Sequence, residues 1–224
     1  MSKIVLFGAG KIADEVYHYL TYDSDHKVVA FTIDGAYIKE KEKFGLPVVP
    51  FEDLMKRYPP DDYKMFVAIG YQNLNRLRAE KYNACKKLGY TLISYVCSQA
   101  ANFGKVDIGD NCLALENAVI QPCTRIGSNV FIWSGNHIGH HSQVCDHCYL
   151  AGQVIIGGSS VVESYCFVGM NATIGHEIRV GKGCFIGANV RITKNADPGS
   201  VFIEPDTPKF RLDAESFIKM SRMK

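Results

Sequence analysis

Charge of one sign is the first thing this sequence lacks: 25 Lys and Arg stand against 23 Asp and Glu, a formal net charge of +2 over 224 residues. Without a basic excess there is no electrostatic drive toward nucleic acid or an anionic membrane, and neither is expected as a partner. Long apolar runs are missing too. The longest fall far short of the roughly 18 residues that span a bilayer. The opening MSKIVLFGAG has neither the basic n-region nor the long apolar h-region of a secretory signal. The expectation is a cytoplasmic chain, in which the 8 cysteines stay as free thiols. With 47% hydrophobic and 21% charged residues, disorder is excluded, and the length suits one large domain or two small ones.

The first half reads as alternating strands and helices. Lys3 to Phe7 (KIVLF) is an apolar run of β formers, followed at once by Gly8-Ala9-Gly10-Lys11-Ile12-Ala13 and the helical stretch DEVYHYL. A second apolar run, Val28 to Ile33, ends at Asp34-Gly35. A third, Met65 to Ile69, ends at Gly70 before a helical segment from Asn73 to Leu88. Such alternation implies a small parallel sheet, a Rossmann-like half. Gly-x-Gly-x-x-Ala at a helix start lets backbone approach a pyrophosphate, and an acidic residue after the second strand can take ribose hydroxyls. Gly8, Gly10 and Asp34 fit those roles, with Gly70, Asn73 and Arg76 after the third strand as further candidates. The same turn can serve packing alone. A complete dinucleotide fold, and with it a nucleotide-dependent oxidoreductase, needs more than the roughly 95 residues available before the pattern changes.

From residue 108 the period becomes six. The first hexad positions run from Ile108 through Ala114, Ile120, Ile126 and so on to Ile192; fourteen of the fifteen are Ile, Val or Leu. The next position is glycine in eight of the fifteen, and the fifth is mostly small. An aliphatic residue every six positions is the pattern of a parallel β-helix, each hexad giving one short strand and a turn, and three hexads giving one coil. About five coils follow.

With these features the sequence resembles the left-handed β-helix (hexapeptide repeat) sugar acyltransferases, of the sialic acid O-acetyltransferase and bacillosamine-pathway N-acetyltransferase type. The resemblance runs from the KIVLFGAG opening through Phe31-Thr32-Ile33-Asp34 and Val67-Ala68-Ile69-Gly70 into the hexads. It implies a left-handed β-helix that forms a homotrimer, an N-terminal domain that holds a nucleotide-linked sugar, and acetyl-CoA lying between adjacent β-helices. The division expected is 1–97 for the nucleotide-sugar domain, 98–204 for the β-helix and 205–224 for a C-terminal tail.

Five of the seven histidines lie in the hexads, four of them between Gly135 and His147. In the family the general base is a histidine at the third hexad position, which is His140 here; His141 is the alternative. Relatives follow the base with an acidic residue, whereas this chain has His141 there, and Asp146 in the next hexad is the nearest acidic candidate to orient the imidazole. Acyl transfer from a thioester needs a base for the acceptor's proton and a donor for the oxyanion. A backbone N–H in the Gly157-Gly158 turn suits the second role. CoA leaves as a thiolate, so direct attack in a ternary complex needs no enzyme nucleophile. The C-terminal stretch Phe202 to Lys209 matches the family's CoA-contacting turn loosely, with Lys209 as its basic residue. Cys145-Asp146-His147-Cys148 has the look of a zinc pattern. The hexad phase opposes it, because Cys112, Cys148, Cys166 and Cys184 share the fifth position and stack as a core column; no metal is expected.

The expected activity is acetyl-CoA-dependent N-acetylation of a nucleotide-linked amino sugar, as in cell-surface polysaccharide biosynthesis. Two alternatives stay open: O-acetylation of sialic acid or a polysaccharide precursor, and a non-catalytic β-helix that serves as a trimerisation scaffold.

Overall fold

The computed structural model describes residues 1–102 and 106–221. Its N-terminal part is a five-stranded sheet: β1 (Lys3–Phe7), β2 (Lys27–Ile33), β3 (Glu42–Lys43), β4 (Leu46–Pro50) and β5 (Lys64–Val67), in the order β3-β4-β2-β1-β5. All neighbours are parallel except the β3–β4 hairpin. Helix α1 (Lys11–Tyr22) and the four-residue α2 (Leu54–Arg57) lie between these strands, and α3 (Arg76–Lys87) follows β5. The central strand β1 is apolar throughout because both its faces are covered. Ile4 and Leu6 pack with Phe66 and with Ala13, Val16 and Leu20 of α1. Val5 and Phe7 point the other way, onto Leu54, Cys85 and Tyr90.

Two local features depart from the sequence expectation. β4 is an additional strand, hidden in the sequence because Pro47 and Pro50 bracket Val48-Val49. The helix expected from Asn73 begins only at Arg76, since Asn73, Leu74 and Asn75 adopt left-handed φ of 49°, 50° and 65°. Asn75 is held there by its side chain, whose Nδ2 donates to the Cys166 carbonyl at 3.1 Å.

The second part is a left-handed β-helix of two-residue strands, from Tyr95–Val96 to Val201–Phe202, stacked in three parallel sheets of seven, six and five strands. Partners are 18 residues apart, so that His137-Ile138 lies between Val119-Ile120 and Ile155-Ile156, except for the last pair, Phe185 and Val201, which are 16 apart. The aliphatic first positions fill the prism, with Ile138, Val144, Leu150, Ile156 and Val162 at 0% exposure. The cysteine column lies in the same core, and each thiol donates to a carbonyl further along the chain, as Cys112 does to Gly127 at 3.0 Å and Cys148 to Glu163 at 3.1 Å. The fourth hexad position is a left-handed corner, with φ of 54° at Asn111, 59° at Asn129 and 59° at His141. Asn and His tolerate that conformation better than most residues, which explains their frequency there.

The N-terminal domain sits on the seven-stranded sheet alone. That sheet's outward residues form a mostly aromatic ladder of Tyr95, Leu113, Phe131, Tyr149, Phe167 and Phe185, with Phe66 stacked on Phe131 at 5.8 Å. The other two sheets carry partly or fully exposed residues on their outer faces, and Ile155 is 46% exposed. A final helix, α4 (Ala214–Ser221), buries none of its residues; positions 222–224 of the expected tail lie outside the described residues. No helix among the described residues is long and apolar enough to cross a membrane.

Candidate active site

A cavity of about 1130 Å³ opens at the carboxyl ends of β1, β2 and β5, the usual ligand crevice of a parallel α/β sheet. Gly8, Gly10, Asp34 and Gly70 all line it, joined by Lys11, Tyr37, Lys43 and Lys81. The two glycines of the turn are needed for different reasons. Gly8 has φ +132°, and a Cβ there would lie 2.6 Å from the Ala68 carbonyl oxygen, so its identity follows from packing against the end of β5. Gly10 has no atom near its would-be Cβ and caps the N-terminus of α1, which no side chain satisfies. That terminus therefore presents its backbone dipole to the cavity, a favourable place for an anion. Asp34 already holds Lys81, whose Nζ lies 2.8 Å from Oδ2 and 3.0 Å from Oδ1.

Asn73 and Arg76 do not reach this cavity. The left-handed turn that delays α3 carries Asn73 away from its lining, and the Arg76 guanidinium lies over the Tyr165 ring at 5.4 Å. Two residues further on is Arg78, to which the sequence pattern assigned no role. It is fully buried at the junction of the two parts. Its guanidinium donates to the Gly70 carbonyl (2.9 Å), Asn75 Oδ1 (3.0 Å), the Cys148 carbonyl (3.0 Å) and both oxygens of Asn129 (3.2 Å each), and stacks over Phe131 at 4.4 Å. Burial pulls its pKa down to about 10, still leaving it charged at neutral pH. It ties the Gly70 wall of the cavity to two successive coils.

His140 and His141 stand at the exposed corner between the six- and five-stranded sheets. The His140 backbone N–H donates to Gln121 Oε1 at 2.9 Å, and the His140 carbonyl accepts from the Ser159 N–H at 2.8 Å. Gly158 lies in the same place one coil later. A Cβ there would meet both Cε1 and Nε2 of His140 at 2.8 Å, so the imidazole rests its Nε2 edge where any other residue would project. Gly157 is equally constrained, its would-be Cβ being 2.6 Å from the His176 nitrogen. Among the described residues nothing accepts a hydrogen bond from the Gly158 N–H. His176 closes the far side, its ring centroid 6.3 Å from that of His140.

Asp146 is not part of this corner. Three hexads make a coil, so residues six apart occupy successive corners, and Asp146 lies on the next one, where Oδ1 accepts from the Ser128 N–H at 2.8 Å. Nor do Cys145, His147 and Cys148 converge. Cys148 points into the core, whereas His147 Nδ1 contacts Asn129 Nδ2 at 2.9 Å. Among the described residues no group of three or more His, Cys, Asp or Glu is arranged to hold a metal. Lys209 is exposed in an irregular stretch after the last strand.

An α/β domain seated on one face of a left-handed β-helix, with a cavity at its strand ends and histidines on a free corner, defines the class: the chain has the fold of the left-handed β-helix sugar acyltransferases. Residues 3–84 match the family model described as PglD N-terminal domain, and residues 108–206 that described as GMPPB C-terminal domain. Among solved structures, PerB from Caulobacter crescentus in complex with CoA and GDP-perosamine superposes with a TM-score of 0.80 at 21% identity, covering 90% of this chain and 93% of that one. The acetyltransferase domain of PglB from Neisseria gonorrhoeae FA1090 gives 0.77 at 18% identity, covering 90% and 96%. WeeI from Acinetobacter baumannii AYE gives 0.76 at 19%, again covering 90% and 96%. No curated protein sequence matches the chain.

Proposed function

We propose that this chain is an acetyl-CoA-dependent N-acetyltransferase acting on a nucleotide-linked amino sugar. The observation that carries the proposal is the His140 corner, where an exposed imidazole lies with its Nε2 edge against a backbone whose N–H is free. In this reading Nε2 of His140 takes the proton of the acceptor amine as it attacks the thioester carbonyl. The Gly158 N–H stabilises the oxyanion. CoA departs as a thiolate, and Gly157, Gly158 and Lys209 are the cofactor-side contacts. The nucleotide occupies the N-terminal cavity, its phosphates at the Gly8-Ala9-Gly10 turn and its ribose near Asp34. The described binding of CoA and GDP-perosamine by a structurally similar protein supports this assignment of substrates.

Within one chain, the cavity lining includes neither histidine of the corner. A homotrimer resolves this, because packing the uncovered β-helix faces side by side brings one subunit's histidine corner toward its neighbour and forms a cleft for acetyl-CoA. Light scattering should give about three times the 24.9 kDa chain mass; full activity in a monomer contradicts the shared site. For the chemistry, thiol release from acetyl-CoA is measured with a panel of nucleotide-linked sugars. Release with amino sugars, and an acetamido product by mass spectrometry, is expected. Release only with hydroxyl acceptors supports O-acetylation instead, and none with any acceptor favours a scaffold.

A further inference from the structure

The Nδ1 atoms of His140 and His141 are 3.1 Å apart. The ring centroids are 5.3 Å apart with the planes 83° to one another, so both nitrogens lie close to the line joining the rings. This is a hydrogen bond between two imidazoles, and it fixes tautomers. One Nδ1 must carry the proton and the other must be bare, and each neutral ring keeps its remaining lone pair or proton on Nε2. If His140 is to accept a proton at Nε2, the edge over Gly158, its own Nδ1 must be the donor. His141 then accepts at Nδ1 and carries its proton on Nε2.

Resting on the proposed role of His140 as base, we infer that His141 is the positioning residue of this site, a neutral imidazole doing what a carboxylate does in the usual base–orienter pair. The left-handed corner makes this placement possible. With φ 59° at His141, the chain turns so that adjacent side chains come edge to edge. The groups facing the pair are few. Gln121 accepts from the His140 backbone N–H, Cys123 stands one coil earlier in register with His141, and Gly158 lies beneath. On the far side are His176 and Glu177, 3.4 Å apart. None of these contributes an acceptor to His140 Nδ1. No carboxylate is therefore bonded to the ring when it takes up the acceptor's proton. The transfer itself is unchanged: the amine nitrogen bonds to the carbonyl carbon, its proton moves to His140 Nε2, the C–S bond breaks, and the proton returns through solvent to the CoA thiolate.

Three variants test this. His141→Ala removes the acceptor and should lower kcat about 10- to 100-fold with both KM values and the oligomer mass unchanged, in line with losses on removing an orienting partner. His141→Asp, whose side chain also suits a left-handed corner, should restore most of the turnover. By placing a negative charge beside the base, it should also move the acidic limb of the kcat profile about one pH unit higher. The limb shift reports that the new carboxylate reaches the base, and the restored turnover is what a merely structural role for His141 does not give. If His141→Ala keeps wild-type kcat, or His141→Asp restores turnover without shifting the limb, the inference is wrong. His140→Asn separates the two levels: if that variant retains full turnover, the base assignment itself has failed, whatever the His141 variants do.

Discussion

Gly158 lies directly beneath His140, so close that a methyl group on its Cα would sit 2.8 Å from the imidazole Nε2. The glycine keeps the ring over a free N–H, and its replacement displaces the ring instead of unfolding the coil. Gly158→Ala should therefore lower kcat by about 10²-fold, the effect of a misplacement on the ångström scale, with the oligomer mass retained. Unchanged kcat contradicts the assignment of this corner.

The two glycines of the first turn make opposite predictions. Gly8→Ala places a Cβ against the Ala68 carbonyl at a φ that disfavours side chains, and should cost about 2 kcal/mol or more of stability. Gly10→Leu places a Cβ with no neighbouring atom within 4 Å and should leave the melting temperature nearly unchanged while raising the KM for the nucleotide-linked sugar about tenfold. Equal effects of Gly10→Leu on both substrates would move the nucleotide elsewhere.

Asp23, at the C-terminus of α1, clamps that helix to the first coil. Its carboxylate accepts from Ser98 Oγ (2.5 Å), Tyr95 Oη (2.5 Å) and the Ser98 N–H (2.8 Å). These bonds, the Ser98 hydroxyl foremost, hold its pKa well below the ordinary carboxylate value. A depressed folded-state pKa contributes stability above the unfolded value of ~3.9 and loses it as pH falls toward the folded value. Thermal melts should thus show wild type ahead of Asp23→Asn at neutral pH, with the gap closing below about pH 4. A gap that does not narrow between about pH 5 and pH 2 argues that the clamp is not carried by the ionised carboxylate.

Much of this architecture is legible in the sequence because a β-helix repeats its contacts at a fixed interval. The aliphatic first positions gave the prism, and the cysteines at 112, 148, 166 and 184 gave a core column without invoking a ligand. Asp146 is the nearest acidic residue in sequence to His140, but side chains meet across 18 residues and residues six apart face different ways, so its carboxylate bonds to Ser128 instead. The same interval held an unused signal. Phe131, Tyr149, Phe167 and Phe185 are 18 residues apart, and large aromatics recurring on an outward position mark the face that another domain covers.

The residues at the junction were harder to read. Arg78 sits in a helix with few apolar residues, and its burial depends on carbonyls from coils 50 to 70 positions away, contacts that no local pattern encodes. The delayed start of α3 depends likewise on Asn75 bonding across to Cys166. At the candidate site, hexad phase was enough to select His140 for comparison with the family. Its contact with His141 depended on corner geometry that only the fold supplies.

The base assignment is tested most directly by single-turnover and steady-state thiol release from acetyl-CoA, with a saturating nucleotide-linked amino sugar, in wild type and His140→Asn. The variant should lose about 10²-fold or more in kcat and the acidic limb of its pH profile, while both KM values, the oligomer mass and the melting temperature stay close to wild type. Wild-type turnover in His140→Asn would contradict the account.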